Sequence, residues 1–328
     1  MKMSLRLTAL ATTAVLLVAA CSSAASPTPA PATPAPATAA PATAAPTAAP
    51  ATAAPTAAPA TPTPAPTYDP NGLLAKVIAS GKLRVATDPN YAPFSFLDVA
   101  TGKYVGYDNA TAEEMAKRLG AVAGKEITVQ WETPNWDLIT AGSWGGRWDI
   151  SVGSMSVTKT REKVVDFVDP YFYDFGMVAV PKDSPIQTVA ELAGKEFCVG
   201  AATTYEQWLT GTLEIVDPNM LPVPADVKVT TLPTDNECIQ AIAAGRKYDA
   251  LAANENSLAN AIKEGQPIRI LDNSVTFTIS VSAALDKSGP PTAEMLTVLN
   301  KIMAEMHADG TMTRISMEHL GKDVSKKP

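Results

Sequence analysis

The protein has 328 residues, and its 26 basic and 33 acidic side chains give it a net charge of −7 at neutral pH. Residues 1–20 contain Lys2 and Arg6 but no acidic residue, so the chain that follows them carries a charge of about −9. An acidic surface argues against nucleic acid as a partner.

The N-terminal segment MKMSLRLTALATTAVLLVAAC has two basic residues, an apolar stretch and small residues that end at Cys21. This order is typical of a secretory signal peptide, here residues 1–20, and the apolar stretch is too short for a stable transmembrane helix. LVAAC resembles the lipobox of bacterial lipoproteins, which implies that Cys21 is lipidated and becomes the new N-terminus. An ordinary secretory signal with a coincidental cysteine is the alternative. Lipidation would anchor the protein outside the cytoplasm on the cell membrane without a spanning helix.

From residue 22 to residue 67 the sequence contains only Ala, Pro, Thr and Ser, including 13 of the 28 prolines of the chain. Such a segment has no large apolar side chain to bury, so residues 21–67 are predicted to form a disordered tether behind the lipidated cysteine. Residues 68–328 are then the folded part. This number of residues is large for a single hydrophobic core and is sufficient for two lobes.

Strands and helices are predicted to alternate along the folded part. The first set consists of strands at 82–88, 127–132 and 148–155, with helices at 107–120 and 135–146 between them. After the apolar run 164–182 the pattern restarts, with strands at 196–201, 227–233 and 248–253, a helix that begins in TTYEQWLTG, and a helix at 235–246. A long strand at 274–287 and a helix at 292–307 follow. This alternation is typical of parallel sheets covered by helices.

The repeated pattern predicts an α/β protein with two lobes, each with a parallel or mixed sheet flanked by helices. Residues 68–178 and 280–328 would form lobe 1, and residues 179–279 lobe 2. Two hinge strands near 174–182 and 276–284 would join them. Ligands of open α/β sheets bind outside the carboxyl ends of the strands, so the cleft between the lobes is the expected site.

The stretch GSMSVTKTREKVVDFVDPYF places an arginine, Arg161, shortly after small and hydroxyl residues. Thr158 and Glu162 resemble the start of a helix, which would put Arg161 in its first turn. The helix dipole makes that position unfavourable for a cation. The same position, with its free backbone N–H groups, suits an anionic ligand.

Only two cysteines, Cys198 and Cys238, remain in the folded part. An even pair in an exported domain indicates a disulfide, which would link a strand of lobe 2 to the helix after the next strand. Two buried free thiols are the alternative.

Several motifs along residues 73–322 resemble the type II periplasmic substrate-binding proteins that serve polar amino-acid ABC transporters. They are TDPNYAPFSF, YVGYDNATAEEMAKRLG, NWDLI, WDISVGSMSVTKTREKVVDFVDPYF, GAATTYEQWL and AIAAGRKYDALAANE. The resemblance implies the two-lobed fold, a small amino acid or related carboxylate as ligand, an ABC permease as partner, a monomer and no cofactor.

The resemblance assigns the carboxylate end of the ligand to four residues. Arg161 matches the arginine that grips the α-carboxylate, for which a planar guanidinium is suited. Ser154 and Ser156 match the segment that meets the α-ammonium and, through backbone N–H groups, the carboxylate. Thr204 matches a hydroxyl and amide that close on the carboxylate from lobe 2. Family members often have glycine where Ala202 stands.

The resemblance assigns the rest of the ligand to four further positions. Tyr91 and Trp136 match two aromatic residues that sandwich its aliphatic stem, and Asp88 matches a carboxylate that touches its side chain in some members. Asn254 stands where the family usually has the aspartate that pairs with the α-ammonium. A neutral amide is a weaker partner for an ammonium group than a carboxylate.

Two other functions remain open at this stage. The same fold is used by an enzyme, cyclohexadienyl dehydratase, so fold alone does not exclude catalysis. The histidines, His307 and His319, lie near the C-terminus, and no Ser–His, Cys–His or metal-ligand cluster falls on the predicted cleft segments, which favours a binding protein. A sensory ligand-binding protein is the third possibility, and the lack of a kinase or membrane segment after the last helix argues against it.

Overall fold

The computed structural model describes residues 68–328. The predicted signal peptide (1–20), the lipidation site Cys21 and the predicted tether (21–67) lie outside the described residues. No helix between residues 68 and 328 has both the length and the apolar character needed to cross a membrane.

Strands and helices alternate along the described chain much as the sequence pattern predicts. The strands are β1 (Lys82–Ala86), β2 (Asn90–Tyr91), β3 (Ser95–Asp98), β4 (Lys103–Val105), β5 (Thr128–Glu132), β6 (Ile150–Ser156), β7 (Val165–Phe167), β8 (Phe172–Pro181), β9 (Glu196–Gly200), β10 (Lys228–Leu232), β11 (Ala250–Asn254), β12 (Ile268–Ile270) and β13 (Phe277–Asp286). The helices are α1 (Leu73–Ser80), α2 (Tyr107–Ala123), α3 (Trp136–Thr140), α4 (Thr204–Leu209), α5 (Asp235–Ala243), α6 (Glu255–Lys263), α7 (Ala293–Ala308) and α8 (Thr311–Leu320). The sequence analysis did not predict α1, α6, α8 or the small β2-β3-β4 sheet.

The main sheet has ten strands, in the order β10-β9-β11-β8-β13-β6-β1-β5, with β12 paired to β8 and β7 paired to β13. β1 is parallel to β5 and β6, and β9 is parallel to β10 and β11. β8 and β13 are antiparallel to each other and to their outer neighbours. The predicted two-lobed α/β fold is therefore confirmed, and its two parallel halves are continuous through the β8–β13 pair.

Separate apolar clusters pack on the two halves of the sheet. One cluster joins β1, α2 and α7 through side chains that include Leu83, Met115 and Ile302. Two others join β9 to α4 and to α5. We call the part around the first cluster lobe 1 and the part around the other two lobe 2. The predicted boundaries at 178/179 and 279/280 fall inside β8 and β13, and β13 contributes to both lobes.

The start of α2 is fixed by the residue before it. Gly106 has φ 120°, and a Cβ at this position would run into the carbonyl of Phe94, so only glycine fits here. The next residues, Tyr107 and Asp108, are fully buried, and α2 ends at Gly124 in the left-handed conformation. The tight turn at Gly106 therefore brings Asp108 into the interior beside β6.

A disulfide joins Cys198 of β9 to Cys238 of α5, with 5.6 Å between their Cα atoms. Both cysteines are fully buried in lobe 2. The predicted pairing is confirmed. The bond closes a loop over a sequence separation of 40 residues.

Replacing both cysteines by alanine is expected to lower the free energy of unfolding by about 2–4 kcal/mol, because the unfolded chain regains the freedom that the closed loop removes. Urea denaturation of the wild type and the double variant measures the difference. The wild type with its disulfide reduced is the matched control and should approach the variant. Equal midpoints in all three samples would contradict a stabilising bond.

Candidate functional site

One cavity lies where the carboxyl ends of strands from both lobes meet. It contains about 510 Å³ of space free of protein atoms, part of which is open to solvent. Its lining residues are Asp88, Tyr91, Trp136, Gly153, Ser154, Ser156, Arg161, Thr203, Thr204, Tyr205, Pro233, Thr234 and Asp235. Seven of the eight ligand-binding residues predicted from the sequence are in this set, and the eighth, Asn254, is not.

Arg161 is a buried cation without an anionic partner. Its side chain is 3% exposed, Nη1 donates to the carbonyl of Ser156 (3.0 Å), and Nη2 donates to the carbonyl of Ala202 (2.9 Å). Its Nε is buried and has no hydrogen-bond partner in residues 68–328, and no carboxylate oxygen of these residues lies within 4.0 Å of its nitrogens. Burial lowers the pKa of Arg161 to about 10. The guanidinium is still charged at neutral pH, so the cavity contains an unpaired positive charge.

The predicted helix around Arg161 is wrong. The structure has a single 3-10 turn, Arg161–Lys163, and then the strand β7. The chain leaves the turn because Val165–Phe167 pairs with β13. The backbone N–H of Arg161 donates to Thr158 Oγ1 (3.2 Å), so it is not free for a ligand. The helix-dipole argument therefore does not apply, and the case for an anionic ligand depends on the guanidinium.

Ala202 of lobe 2 contacts two side chains of lobe 1 across the cleft. Its carbonyl accepts hydrogen bonds from Arg161 Nη2 and from Trp136 Nε1 (3.2 Å). It has φ 58°, in the left-handed region that favours glycine, and its N–H donates to Glu206 Oε2 at 2.6 Å. The left-handed conformation at Ala202 accompanies a carbonyl that contacts lobe 1, and glycine would adopt this conformation with less strain than alanine.

Two further features shape the arginine end of the cavity. Ser156 Oγ and Thr204 Oγ1 approach each other across the cleft at 3.5 Å. The Trp136 ring lies 5.4 Å from Arg161 Cζ, within the range of a cation–π contact. Tyr91 stacks on Phe94 with 5.4 Å between ring centroids and forms an apolar wall. The structure thus brings the predicted aromatic and hydroxyl residues to the same cavity.

Ser154 lines the cavity, but both of its donors are used within the protein. Its N–H donates to Tyr171 Oη (2.9 Å), and its hydroxyl donates to Asp108 Oδ2 (2.8 Å). Tyr171 in turn donates to Asp108 Oδ1 (2.8 Å). Burial raises the pKa of Asp108 to about 7, although these two hydrogen bonds act in the opposite direction. This network fixes the floor of the cavity.

Asp235 is a site residue that the sequence analysis missed. It is the first residue of α5 and 5% exposed, and its Oδ1 accepts a hydrogen bond from the Gly200 N–H (2.8 Å). Burial raises the pKa of Asp235 to about 7, against the effect of this hydrogen bond. Burial also raises the pKa of Asp88. The signal for it in the sequence is an acidic residue shortly after a strand, as in LPTD, at the start of the predicted helix 235–246.

Asn254 has a structural role in the described chain. It is 1% exposed and caps α6, because its Oδ1 accepts from the N–H groups of Asn256 (2.6 Å) and Ser257 (3.2 Å). Its Nδ2 donates to Asp174 Oδ1, and Asp174 Oδ2 accepts from Tyr205 Oη (2.6 Å). Both ends of the Asn254 amide are therefore occupied. The resemblance predicts that Asn254 faces the ammonium group of the ligand. In the structure it instead caps α6 and donates a hydrogen bond to Asp174.

Residues 83–322 match the bacterial extracellular solute-binding proteins, family 3. The chain belongs to this family. It is 29% identical over 257 residues to the L-cystine-binding protein TcyJ of Escherichia coli (strain K12), across 78% of this chain and 88% of the relative. It is also 29% identical over 252 residues to the histidine-binding periplasmic protein of Salmonella typhimurium, across 74% and 89%.

A solved structure is also similar to this chain. The ancestral amino acid-binding protein AncCDT-1, described as a precursor of cyclohexadienyl dehydratase, superposes with a TM-score of 0.63 and 28% identity. The match covers 75% of this chain and 99% of that one. Relatives of this chain thus include binding proteins for amino acids, and members of the family act outside the cytoplasm.

Asn254→Asp is expected to destabilise the protein at alkaline pH, because a second carboxylate would face Asp174. Burial raises the pKa of Asp174 to about 6, and the hydrogen bonds from Tyr205 and Asn254 oppose that rise. A neighbouring carboxylate raises the folded-state pKa of the pair, so the folded variant binds more protons than the unfolded chain. Its stability therefore falls as pH rises from the unfolded-state pKa of aspartate, about 4, through the raised pKa of the pair, and is largely regained below about 4.

The measurement is the free energy of unfolding of both proteins from acid to alkaline pH. The deficit of Asn254→Asp is expected to be about 1–3 kcal/mol at alkaline pH. Asn254→Ser, which keeps a cap acceptor without adding charge, is the control and should show a weaker dependence on pH. A deficit for Asn254→Asp that does not change with pH would contradict the arrangement.

Proposed function

We propose that the cavity binds an amino acid or a similar small carboxylate and that the protein delivers it to the permease of an ABC importer. The observation that carries this proposal is the buried, unpaired guanidinium of Arg161. Leaving a buried charge without a counter-ion costs several kcal/mol, and an anionic ligand removes that cost. A cavity lined by aromatic walls and a few polar groups is typical of small-molecule sites.

The free donors around Arg161 fit a carboxylate. Its Nη1 and Nη2 each donate to one backbone carbonyl, which leaves Nε–H without a partner in the described chain and one further N–H on each Nη. An Nε–H and an Nη–H that share one edge of a planar guanidinium match the two oxygens of a carboxylate. The backbone N–H groups of Thr204 and Tyr205, in the first turn of α4, have no acceptor within that helix and add donors from lobe 2.

The relatives support an amino acid as the carboxylate. The names of two of them specify L-cystine and histidine. Tyr91 and Trp136 would hold the stem of the ligand, Ser156 and Thr204 would contact its carboxylate end, and Asp88 would contact its side chain. The two relatives are named for amino acids of different size and charge, so the binding experiment below tests all twenty amino acids and L-cystine.

The location that fits this function is the outer face of the cell membrane. The sequence LVAAC supports lipidation of Cys21 after removal of residues 1–20, and residues 22–67 would separate the binding domain from the membrane. We propose that the protein acts as a tethered monomer whose lobes close on the ligand by bending of β8 and β13. The contacts of Ala202 with Arg161 and Trp136 would then belong to the closed form.

An enzyme related to cyclohexadienyl dehydratase is the competing function. The observation that favours it is Asp235, whose carboxyl group lines the cavity with a pKa of about 7, a value suited to proton transfer. Incubation with prephenate and arogenate, followed by chromatography, separates the two functions. We expect both compounds to be recovered unchanged. Product formation that Asp235→Asn abolishes would support the enzyme.

Arg161→Met is expected to abolish most ligand affinity without destabilising the ligand-free protein. The ligand carboxylate would lose its partner, at a cost of about 3–5 kcal/mol, or two or more decades in affinity. In the ligand-free protein, methionine removes a buried unpaired charge, so the melting temperature should stay equal or rise. Calorimetric titration with the twenty amino acids and L-cystine, together with thermal unfolding, measures both effects.

Arg147→Met is the matched control. Arg147 lies over the ring of Trp148, at 4.7 Å, and does not line the cavity. This variant should bind like the wild type. If Arg161→Met binds the best ligand as tightly as the wild type does, the carboxylate is not held by Arg161.

A further inference from the structure

The cavity contains negative as well as positive charge, and its two signs do not neutralise each other. Asp88 and Asp235 line the same space as Arg161, yet no carboxylate oxygen lies within 4.0 Å of a nitrogen of Arg161. Neither aspartate forms an ion pair with a lysine, arginine or histidine of residues 68–328 under the same limit. A ligand that carries both charges would pair with each group at once.

Asp235 has an oxygen available for such a ligand. Its Oδ1 is held by the Gly200 N–H, and Oδ2 makes no hydrogen bond within the described chain. The Thr234 hydroxyl oxygen caps α5 by accepting from the Glu237 N–H (3.1 Å), so Asp235 is fixed as the first residue of that helix. The side chain is therefore pre-oriented by two elements before any ligand arrives.

The other acidic groups nearby are less available. Asp174 uses both of its oxygens, one with Tyr205 and the other with Asn254. Asp108 also uses both, with Tyr171 and Ser154. Asn254, at the position that the sequence analysis assigned to the ammonium group, is neutral and serves as a cap. Of the buried carboxylates beside the cavity, Asp235 is thus the one that keeps an oxygen free for a cation within the described chain. The half-buried Asp88 also lines the cavity, and among residues 68–328 only its Oδ1 is used, by the Asn90 N–H.

A second observation points to a ligand with opposite charges. Arg161 is more than nine-tenths buried, lines the cavity and leaves its Nε without a partner within residues 68–328. It favours an anionic group, and a simple anion would still leave Oδ2 of Asp235 without a partner in the described chain. The two unpaired groups together therefore define the ligand better than either does alone.

We propose that Asp235 binds a positively charged nitrogen of the ligand while Arg161 binds its carboxylate, so that the cavity selects ligands that carry both groups. This inference rests on the proposed function of the cavity. Asp235 takes the role that position 254 has in the family pattern, but from the start of α5 instead of the end of β11. Asp88 lies close enough to add to the negative potential at Asp235.

The nitrogen has room on either side of Asp235. Tyr91 and Asp235 also line a second cavity of about 430 Å³, whose other polar side chains come from Asn236, Ser257, Asn260, Glu264 and Gln266. None of these is basic, so the space suits a cation and not a second carboxylate. The nitrogen is either the α-ammonium group or a cationic group at the end of the side chain, and matched ligands distinguish them.

Proton release on binding follows from the same contact. Ligand-free Asp235 has a pKa of about 7, and a bound cation favours its ionised form and lowers that pKa. Affinity for a cationic ligand should therefore rise with pH up to about 7 and level off above it. The groups that face Asp235 are Asp88, Asp174, Tyr91 and Tyr205. Burial raises the pKa of Asp88 and raises that of Asp174 to about 6, so both aspartates contribute to the pH dependence. The pH dependence must accordingly be compared between the wild type and a variant of Asp235.

The experiment uses Asp235→Asn, which keeps an acceptor for the Gly200 N–H and removes the charge. The control is Asp249→Asn, because Asp249 also accepts a strand N–H in lobe 2, that of Glu196 (3.0 Å), and lies outside the cavity. Calorimetry first finds the tightest ligand among the twenty amino acids and L-cystine. That ligand is then compared with its analogue lacking the α-amino group and, if its side chain is cationic, with a neutral isostere.

Asp235→Asn is expected to weaken binding of the full ligand about 10- to 100-fold and to change binding of one analogue by less than about threefold. If Asp235→Asn leaves the affinity for one analogue unchanged, the cationic nitrogen that this analogue lacks is the one that Asp235 binds. Asp249→Asn should leave all affinities unchanged, and the rise in affinity between about pH 5 and 7 should flatten in Asp235→Asn alone.

Two outcomes would overturn the inference while leaving the proposed function intact. One is an equal loss for the ligand and both analogues, which would mean that Asp235 supports the shape of the cavity. The other is no loss for any of them. Failure of every compound to bind the wild type, or unchanged binding by Arg161→Met, would instead refute the proposed function and this inference with it.

Discussion

A buried positive charge without a protein counter-ion is the constraint on which the rest of the cavity depends. Arg161 is held by two backbone carbonyls, one from its own lobe and one from Ala202 of the other lobe. Carbonyl dipoles orient a guanidinium without neutralising it. Arg161 lines the cavity, and its Nε has no hydrogen-bond partner within residues 68–328, so an anion bound there would supply the counter-charge that the protein lacks.

The fold places this charge where the two lobes meet. β6 ends at Ser156, the following turn supplies Arg161, and β8 and β13 carry the chain between lobes through one antiparallel pair. Because Ala202 accepts hydrogen bonds from both Arg161 and Trp136, closure of the cleft and orientation of the arginine are linked. Acidic groups with pKa values raised by burial surround the remainder of the site and, unlike the guanidinium, can become neutral by binding a proton.

Sequence reasoning predicted much of this arrangement because periodicity and local motifs are properties of neighbouring residues. The strand–helix alternation and the disulfide follow from such patterns, whereas the site roles of Tyr91, Trp136 and Arg161 come from the resemblance to the family. The short turn at Arg161 does not follow from such patterns. Its cause is the pairing of β7 with β13, more than a hundred residues away, which overrides the local helix signal. Asn254 caps α6 and Asp235 lines the cavity, and the sequence predicts neither, because capping and access to the cavity depend on three-dimensional neighbours, which spacing alone does not specify.

The most direct measurement follows the Nε–H of Arg161 itself in a proton–nitrogen correlation spectrum selective for arginine side chains. Its signal is assigned by its loss in Arg161→Lys. On addition of the tightest amino acid, the account predicts a large shift of this signal and slower exchange of its proton with water, because the ligand carboxylate becomes its acceptor. A signal that stays in place and exchanges equally fast at saturating ligand would contradict the account.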